Sequence, residues 1–291
     1  MLGSLIMEGT SIRCCLPPLS NVTTFLLSRQ CISSAMFHSM LVAMPCLQSL
    51  SLDDGFLVDP SIEEIGHNSS SICAASPLLP IHLPLLRTLK APSPTFEEWI
   101  WAPSLEVLIV GDRTWAPKIM VSKLVAMLVS PLGVPRYPRL RELALRRAAL
   151  DNDYDDESVP FPSRLLALPS IKHLAFTWRS GNAWGSRSPV DSILDLRGND
   201  AGTSLPFVNV DVLTVDVHKE GNLGALYGYV RKRAKAGMPI KMLRLQRSTL
   251  YRGGGDIVKK LRDIVSVEEC ELVGEDDPVW DIHRDRTVLH R

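Results

Sequence analysis

The stretch Leu83-Pro84-Leu85-Leu86-Arg87-Thr88-Leu89-Lys90-Ala91 holds a phrase that returns along the chain: a proline, then apolar residues spaced apolar-x-x-apolar-x-apolar. Here the phrase is Pro84 with Leu86, Leu89 and Ala91. The same register is kept by Pro45 with Leu47, Leu50 and Leu52, and by Pro103 with Leu105, Leu108 and Val110. Pro138 with Leu140, Leu143 and Leu145, and Pro169 with Ile171, Leu174 and Phe176, repeat it again. Looser copies flank these: Val22, Phe25 and Leu27; Val210, Leu213 and Val215; Ile240, Leu243 and Leu245; and Val267, Cys270 and Leu272. The closing apolar-x-apolar pair has the two-residue period of a short strand with one face buried. The proline sets the turn that leads into it.

Between the phrases the spacing turns helical. Leu223, Leu226, Tyr227, Val230 and Ala234 share one helix face, as do Ile257, Val258, Leu261, Ile264 and Val265, with Asp256 as N-cap. Cys31 to Met44, Lys118 to Val129 and Ser192 to Leu196 are further helix candidates. One strand-plus-helix unit cannot bury its own apolar face, whereas stacked units share a continuous core. Successive copies are 19 to 39 residues apart, against about 20–29 for regular leucine-rich repeats, so several units carry insertions. A doubly wound sheet also alternates helix and parallel strand, but these strands are very short and each carries the same phrase. The expected fold is therefore α/β: an irregular leucine-rich-repeat solenoid, or horseshoe, with parallel strands on the concave face and helices on the convex face. Residues 17–273 make about nine repeats, 1–16 an N-terminal segment, and 274–291 a C-terminal cap or tail.

In such strands the residues between the apolar ones point to the concave surface. The expected partner-binding ribbon is Ser49, Ser51, Lys90, Val107, Ile109, Glu142, Arg146, His173, Thr177, Asp216, Arg244, Gln246, Glu269 and Glu271, with Thr24 and Thr214 in the same phase. A mixed, extended ribbon suits protein recognition better than capture of a small molecule, which calls for an enclosed apolar pocket.

Composition narrows the alternatives. Lys plus Arg and Asp plus Glu both number 32, so no global field recruits nucleic acid or an anionic membrane. No window approaches 18 uninterrupted apolar residues, and Met1 to Met7 lacks a basic flank, so neither a membrane span nor a signal peptide is expected. The six cysteines form no C-x-x-C pair. Cys46 and Cys270 read as small buried hydrophobes. A reduced compartment, cytoplasmic or nuclear, is the expected location.

Other chemistry is weaker. The acidic run Asp151 to Glu157 has Asp156 and Pro162 where a calcium-binding loop needs Gly and Glu, so it reads as a solvated loop. Arg252 and Gly253 to Gly255 lack the Lys-Ser/Thr of a nucleotide loop and read as a turn. Arg231, Lys232, Arg233 and Lys235 read as a solvated helix face. Trp99 and Trp101 read as core or ridge-filling residues; Trp115, Trp178, Trp184 and Trp280 read as exposed anchors. No G-x-S-x-G or H-E-x-x-H motif is present, and no catalytic residue, metal or cofactor is expected.

The segments LPLLRTLKA (Leu83 to Ala91), APSLEVLIV (Ala102 to Val110), YPRLRELAL (Tyr137 to Leu145) and LPSIKHLAF (Leu168 to Phe176) resemble the repeat region of fungal F-box/leucine-rich-repeat proteins. Tyr229 to Arg233, Gly237-Met238-Pro239 and Leu243-Arg244-Leu245 are similar to their C-terminal units. The resemblance implies a repeat domain that selects a protein substrate for a ubiquitin-ligase adaptor, the adaptor being held by an F-box helical module not seen in this chain. A stand-alone scaffold or regulator is the alternative. The Asn or Cys that follows the strand in regular repeats is replaced here by Gly55, Pro94, Arg113, Ala148, Arg179, His218, Ser248 and Glu275, so no asparagine ladder closes the turns.

Overall fold

The computed structural model describes residues 3–8, 19–28, 31–32, 34–53, 57–58, 80–91, 100–111, 118–120, 127–130, 134–146, 149–151, 168, 170–177, 207–215, 220–247, 250 and 255–270. The proline-led phrase becomes one repeated piece of backbone. In Met44–Leu47, Leu83–Leu86, Ala102–Leu105 and Tyr137–Leu140 the last N–H donates to the first carbonyl at 3.1–3.2 Å. Proline is the second residue of each of these turns, the position that its fixed φ favours. Leu19–Val22 and Phe207–Val210 close the same turn without it. The residues at both ends of all six turns are buried. The phrase thus fixes where the chain dips into the core before these six strands.

Each turn leads into a strand of a ten-stranded parallel sheet. The members of the sheet are β1 (Ser4–Glu8), β2 (Thr24–Ser28), β4 (Ser49–Asp53), β7 (Thr88–Ala91), β9 (Val107–Val110), β11 (Glu142–Arg146), β13 (His173–Thr177), β14 (Val212–Val215), β15 (Met242–Gln246) and β16 (Ser266–Cys270). They lie side by side in chain order, each strand bonded to those just before and after it in the series. One hydrogen-bond device recurs at every step from β1 to β15. The carbonyl just before a strand accepts two consecutive N–H groups of the next unit. Gly3, Thr23, Gln48, Arg87, Glu106, Arg141, Lys172 and Asp211 all do so, at 2.7–3.1 Å.

Short parallel pairs run beside the main sheet: β3 (Cys31–Ile32) with β5 (Leu57–Val58), β6 (Ile81–His82) with β8 (Ile100–Trp101), and β10 (Lys118–Met120) with β12 (Ala149–Asp151). Among the described residues there are three helices, α1 (Ser34–Val42), α2 (Glu220–Lys235) and α3 (Gly255–Arg262). Phe37, Met40 and Leu41 of α1, Leu223, Leu226, Tyr229 and Val230 of α2, and Val258 and Leu261 of α3 are buried. They share one core with the strand rows that contain Phe25, Leu50, Leu89, Leu108, Leu143, Leu174, Leu213 and Leu243.

Several expectations change here. Lys118 to Met120 is a strand rather than the start of a helix. Ser4 to Glu8, inside the segment 1–16 set apart from the repeats, is the first strand of the sheet and pairs with β2. The last unit is shifted by three residues. Val267, not Cys270, stands opposite Leu243, and Cys270 stands opposite Gln246. Cys46 and Cys270 are only half-buried. Trp101 is 56% exposed and stacks on His82 with ring centroids 4.6 Å apart, so it fills no core. Trp99, Trp115, Trp178, Trp184, Trp280, Ser192 to Leu196, the eight post-strand positions and the acidic run beyond Asp151 lie outside the described residues.

The largest correction concerns Arg233, expected on a solvated face. It is fully buried while Arg231, Lys232 and Lys235 are exposed. Its Nη1 donates to the Phe207 carbonyl (2.9 Å) and its Nη2 to those of Val208 (3.0 Å) and Val210 (3.4 Å). Its Nε donates to the Met238 carbonyl at 3.1 Å. One guanidinium therefore ties the turn before β14 to the segment leading into β15, using its planar array of donors. Its backbone carbonyl takes the Met238 N–H, and Gly237 (φ 74°) donates to Ala234, the paired bonds of a Schellman helix end.

Tyr229 lies one turn before Arg233, which donates to its hydroxyl at 3.3 Å. Burial pushes the Tyr229 phenol above its ordinary value of 10.0, and the charge and hydrogen bond of Arg233 pull the other way. Below pH 10 the folded and unfolded chains both keep this proton. Above it the unfolded chain loses the proton first and binds fewer, so stability falls as pH rises. We predict that Tyr229→Phe costs about 1 kcal/mol at pH 7 and flattens the alkaline loss. Urea midpoints measured from pH 7 to 11.5 check this, and parallel wild-type and variant curves would refute it.

Candidate functional site

Each strand turns one side chain to the leucine core and the next to the opposite, second face of the sheet. The register places Ser4, Thr24, Ser49, Thr88, Val107, Glu142, His173, Val212, Met242 and Ser266 in one row across that face. The neighbouring row is Ile6, Leu26, Ser51, Lys90, Ile109, Ala144, Ala175, Thr214, Arg244 and Glu268. A third row holds Ser28, Asp53, Arg146, Thr177, Gln246 and Cys270.

Most of the expected ribbon falls in these rows. Ser49, Ser51, Lys90, Val107, Ile109, Glu142, His173, Arg244 and Gln246 are there, as are Arg146 and Thr177 by backbone position. Asp216 and Glu271 lie outside the described residues. Glu269 does not belong to the ribbon. It stands opposite Leu245, in the core phase, because the last strand starts three residues earlier than its apolar residues suggest. Glu268 takes the place instead, and sequence reading missed it. The signal was available in Ile264-x-x-Val267, which repeats the spacing of Ile240-x-x-Leu243.

Exposure along the ribbon is uneven. Ile109 (1%), Ala144 (0%) and Ala175 (0%) form a second apolar cluster, with Val107 packed against it. Ser51, Lys90, Thr214 and Gln246 are also buried. Along this row the middle of the second face therefore offers little surface, and Ile109, Ala144 and Ala175 form an apolar floor there. Accessible groups lie toward the two ends of the sheet, Ser4 and Ile6 on β1 and Arg244 and Glu268 on β15 and β16. Arg244 donates to Glu268 at 3.3 Å with both side chains partly exposed, and Arg247 pairs with Glu269 at 3.2 Å on the other side of the same strand pair.

Glu142, His173 and Thr214, on three adjacent strands, form a chain. His173 Nδ1 is 3.5 Å from Glu142 Oε1, and His173 Nε2 is 2.8 Å from Thr214 Oγ1. This is the order of a carboxylate, a base and a hydroxyl. Thr214 is 2% exposed, however, so a substrate has no approach to its Oγ1. In this arrangement buried Thr214 has His173 as its hydrogen-bond partner, as a buried polar group requires, and Glu142 lies at ion-pair distance from the other ring nitrogen.

Among the described residues no helix is long and apolar enough to cross a membrane. In comparisons with known proteins, no protein-family model matches the chain and no curated protein matches its sequence.

Proposed function

We propose that the chain is an irregular leucine-rich-repeat solenoid that binds a protein. We assign it the substrate-recognition role of an F-box-type ubiquitin-ligase adaptor. The observation that carries the reading is the strand order. Ten parallel strands succeed one another in chain order, with the same carbonyl bridge recurring from the first to the ninth. A doubly wound sheet reverses its strand order at a switch point; a coil of stacked units does not. At about 4.8 Å per step such a sheet presents an extended row of side chains, the geometry with which repeat proteins grip long partner surfaces.

The contact surface is assigned to the C-terminal part of the second face, where Met242, Arg244 and Glu268 are not fully buried. Arg244 is the anchor, since its planar donor array suits an acceptor-rich partner. Its pair with Glu268 is partly solvated and contributes under about 1 kcal/mol to folding. We predict that Arg244→Glu leaves the fold intact and weakens partner capture about tenfold or more. Quantitative capture from a fungal lysate checks it, and equal recovery by the variant would remove this surface from the reading. Joining the chain to an F-box module separates the two roles. Recovery of the adaptor and ubiquitination of the captured partner supports substrate selection; a partner held without modification leaves a scaffold.

A further inference from the structure

The two edges of the main sheet differ in chemistry. At one edge β16 exposes Ser266, Glu268 and Glu269. Charges of this kind protect an edge from pairing with another chain. At the other edge β1 reads Ser4-Leu5-Ile6-Met7-Glu8, and Ile6 is 63% exposed. Among the described residues no strand lies beyond β1, and such an edge is a template for a further strand.

The register says which groups β1 has left to offer. Thr24 donates to the Gly3 carbonyl, and Ser4 stands beside Thr24. In a parallel ladder alternate residues direct their N–H and C=O to one neighbour. Leu5 and Met7 therefore face β2, and Ser4, Ile6 and Glu8 point their backbone groups away from the sheet. A second β1, antiparallel and related by a two-fold axis through Ile6, meets this pattern without a mismatch. Ile6 faces Ile6 of the copy, and Ser4 faces Glu8, as pairs that exchange both N–H···O bonds. Leu5 meets Met7 in the intervening pairs, and both are half-buried along the core side of the edge. Serine opposite glutamate brings no like charges together. On β16 the alternation leaves Val267 and Glu269 with backbone groups pointing away from the sheet, and a two-fold through Glu269 would set two carboxylates directly opposite, which is destabilising.

We propose that two copies of this chain pair through β1 to form a symmetric dimer with a sheet continuous across the two-fold axis. Closed two-fold pairing is the commonest arrangement of identical subunits. A five-residue strand does not by itself bury the ~1,200 Å² typical of a stable complex, so the association is weak, with a dissociation constant on the order of 100 µM. A partner presenting two epitopes would strengthen it by binding both copies at once.

The test is sedimentation of the full chain from about 5 to 500 µM, a range that brackets the expected constant. A concentration-dependent dimer is expected for the wild type. Ile6→Lys, which sets like charges together at an already exposed position, should remain monomeric with an unchanged circular dichroism spectrum. Ile6→Cys supplies a second readout, because hydrogen-bonded antiparallel pairs hold their Cα atoms at about 5.5 Å, within disulfide reach. Mild oxidation should link two copies of Ile6→Cys through the introduced thiols, whereas Glu269→Cys, at an outward-facing position of β16, should stay unlinked. A wild-type chain that stays monomeric to the highest concentration would overturn the proposal, as would a dimer that Ile6→Lys leaves intact.

Discussion

Replacing Arg233 by methionine is expected to destabilise the protein by about 3–5 kcal/mol, far more than removing any other charge of its helix. The guanidinium donates to the carbonyls of Phe207, Val208, Val210 and Met238. Methionine replaces the apolar stem of the side chain, falls short of the guanidinium and donates nothing. Each buried acceptor left unmatched costs about 1–3 kcal/mol, with part recovered by relaxation or an entering water. Arg233→Lys should recover only part of the loss, since an ammonium is a compact point charge and cannot span both segments. Lys232→Met, on the exposed side of the same helix, should stay within about 0.5 kcal/mol. Urea denaturation of the three variants provides the comparison. A cost for Arg233→Met near that of Lys232→Met would mean that the arginine does not bridge the turns in solution.

The sheet was legible because it rests on a local rule. Leu47, Leu86, Leu105 and Leu140 each close a short turn, and the alternating residues after them can face the core only in one phase. Turn and period are both written into the short phrase, so it locates every main-sheet strand from β2 to β15 and places most of the second-face rows. Where the rule loses its proline, reading becomes less secure. In β1 the spacing survives as Leu2, Leu5 and Met7 without a proline, and nothing marks it as a unit. In β16, Cys270 and Leu272 offer a tempting apolar pair, yet the strand uses Val267 with Glu269. An end strand has one neighbour and buries less, so its core row tolerates a glutamate. That tolerance removes the pattern by which strands are recognised.

The site was less legible than the sheet. Arg233 lies among Arg231, Lys232 and Lys235 and shares their composition. Only its place at the end of a helix packed over the Phe207 turn makes it a strut, and that depends on a contact 26 residues away. Helix spacing held part of the answer: Leu223, Leu226, Tyr229, Val230 and Arg233 line the buried side, whereas Tyr227 and Ala234 are only half-buried. The Glu142–His173–Thr214 chain depends on register across three strands, separated by insertions of unequal length. No spacing within the chain encodes it. Burial on the second face was hidden for a related reason. Alternation tells that Ile109, Ala144 and Ala175 point away from the leucine core, but not whether that direction leads to water.

Substituting aspartate at Ala144 distinguishes those two cases. Ala144 sits between Ile109 and Ala175 in the register and is 0% exposed. If the second face is covered there in solution, Ala144→Asp buries a short carboxylate that cannot extend its charge to water, two residues from Glu142 on the same strand and face. Without a partner such a group costs several kcal/mol, so a loss of about 3 kcal/mol or more is expected in urea denaturation. Met242→Asp, on the same face but incompletely buried, should cost about 1 kcal/mol, mainly through strand preference. A near-equal, small effect at both positions would mean that the middle of the face is open in solution. The apolar floor of Ile109, Ala144 and Ala175 would then be available to a partner, and the recognition surface would extend through the centre of the sheet. The expected large difference would mean that the centre of the ribbon is closed and, on the proposed protein-binding reading, would leave a partner the accessible strands, that of Arg244 among them.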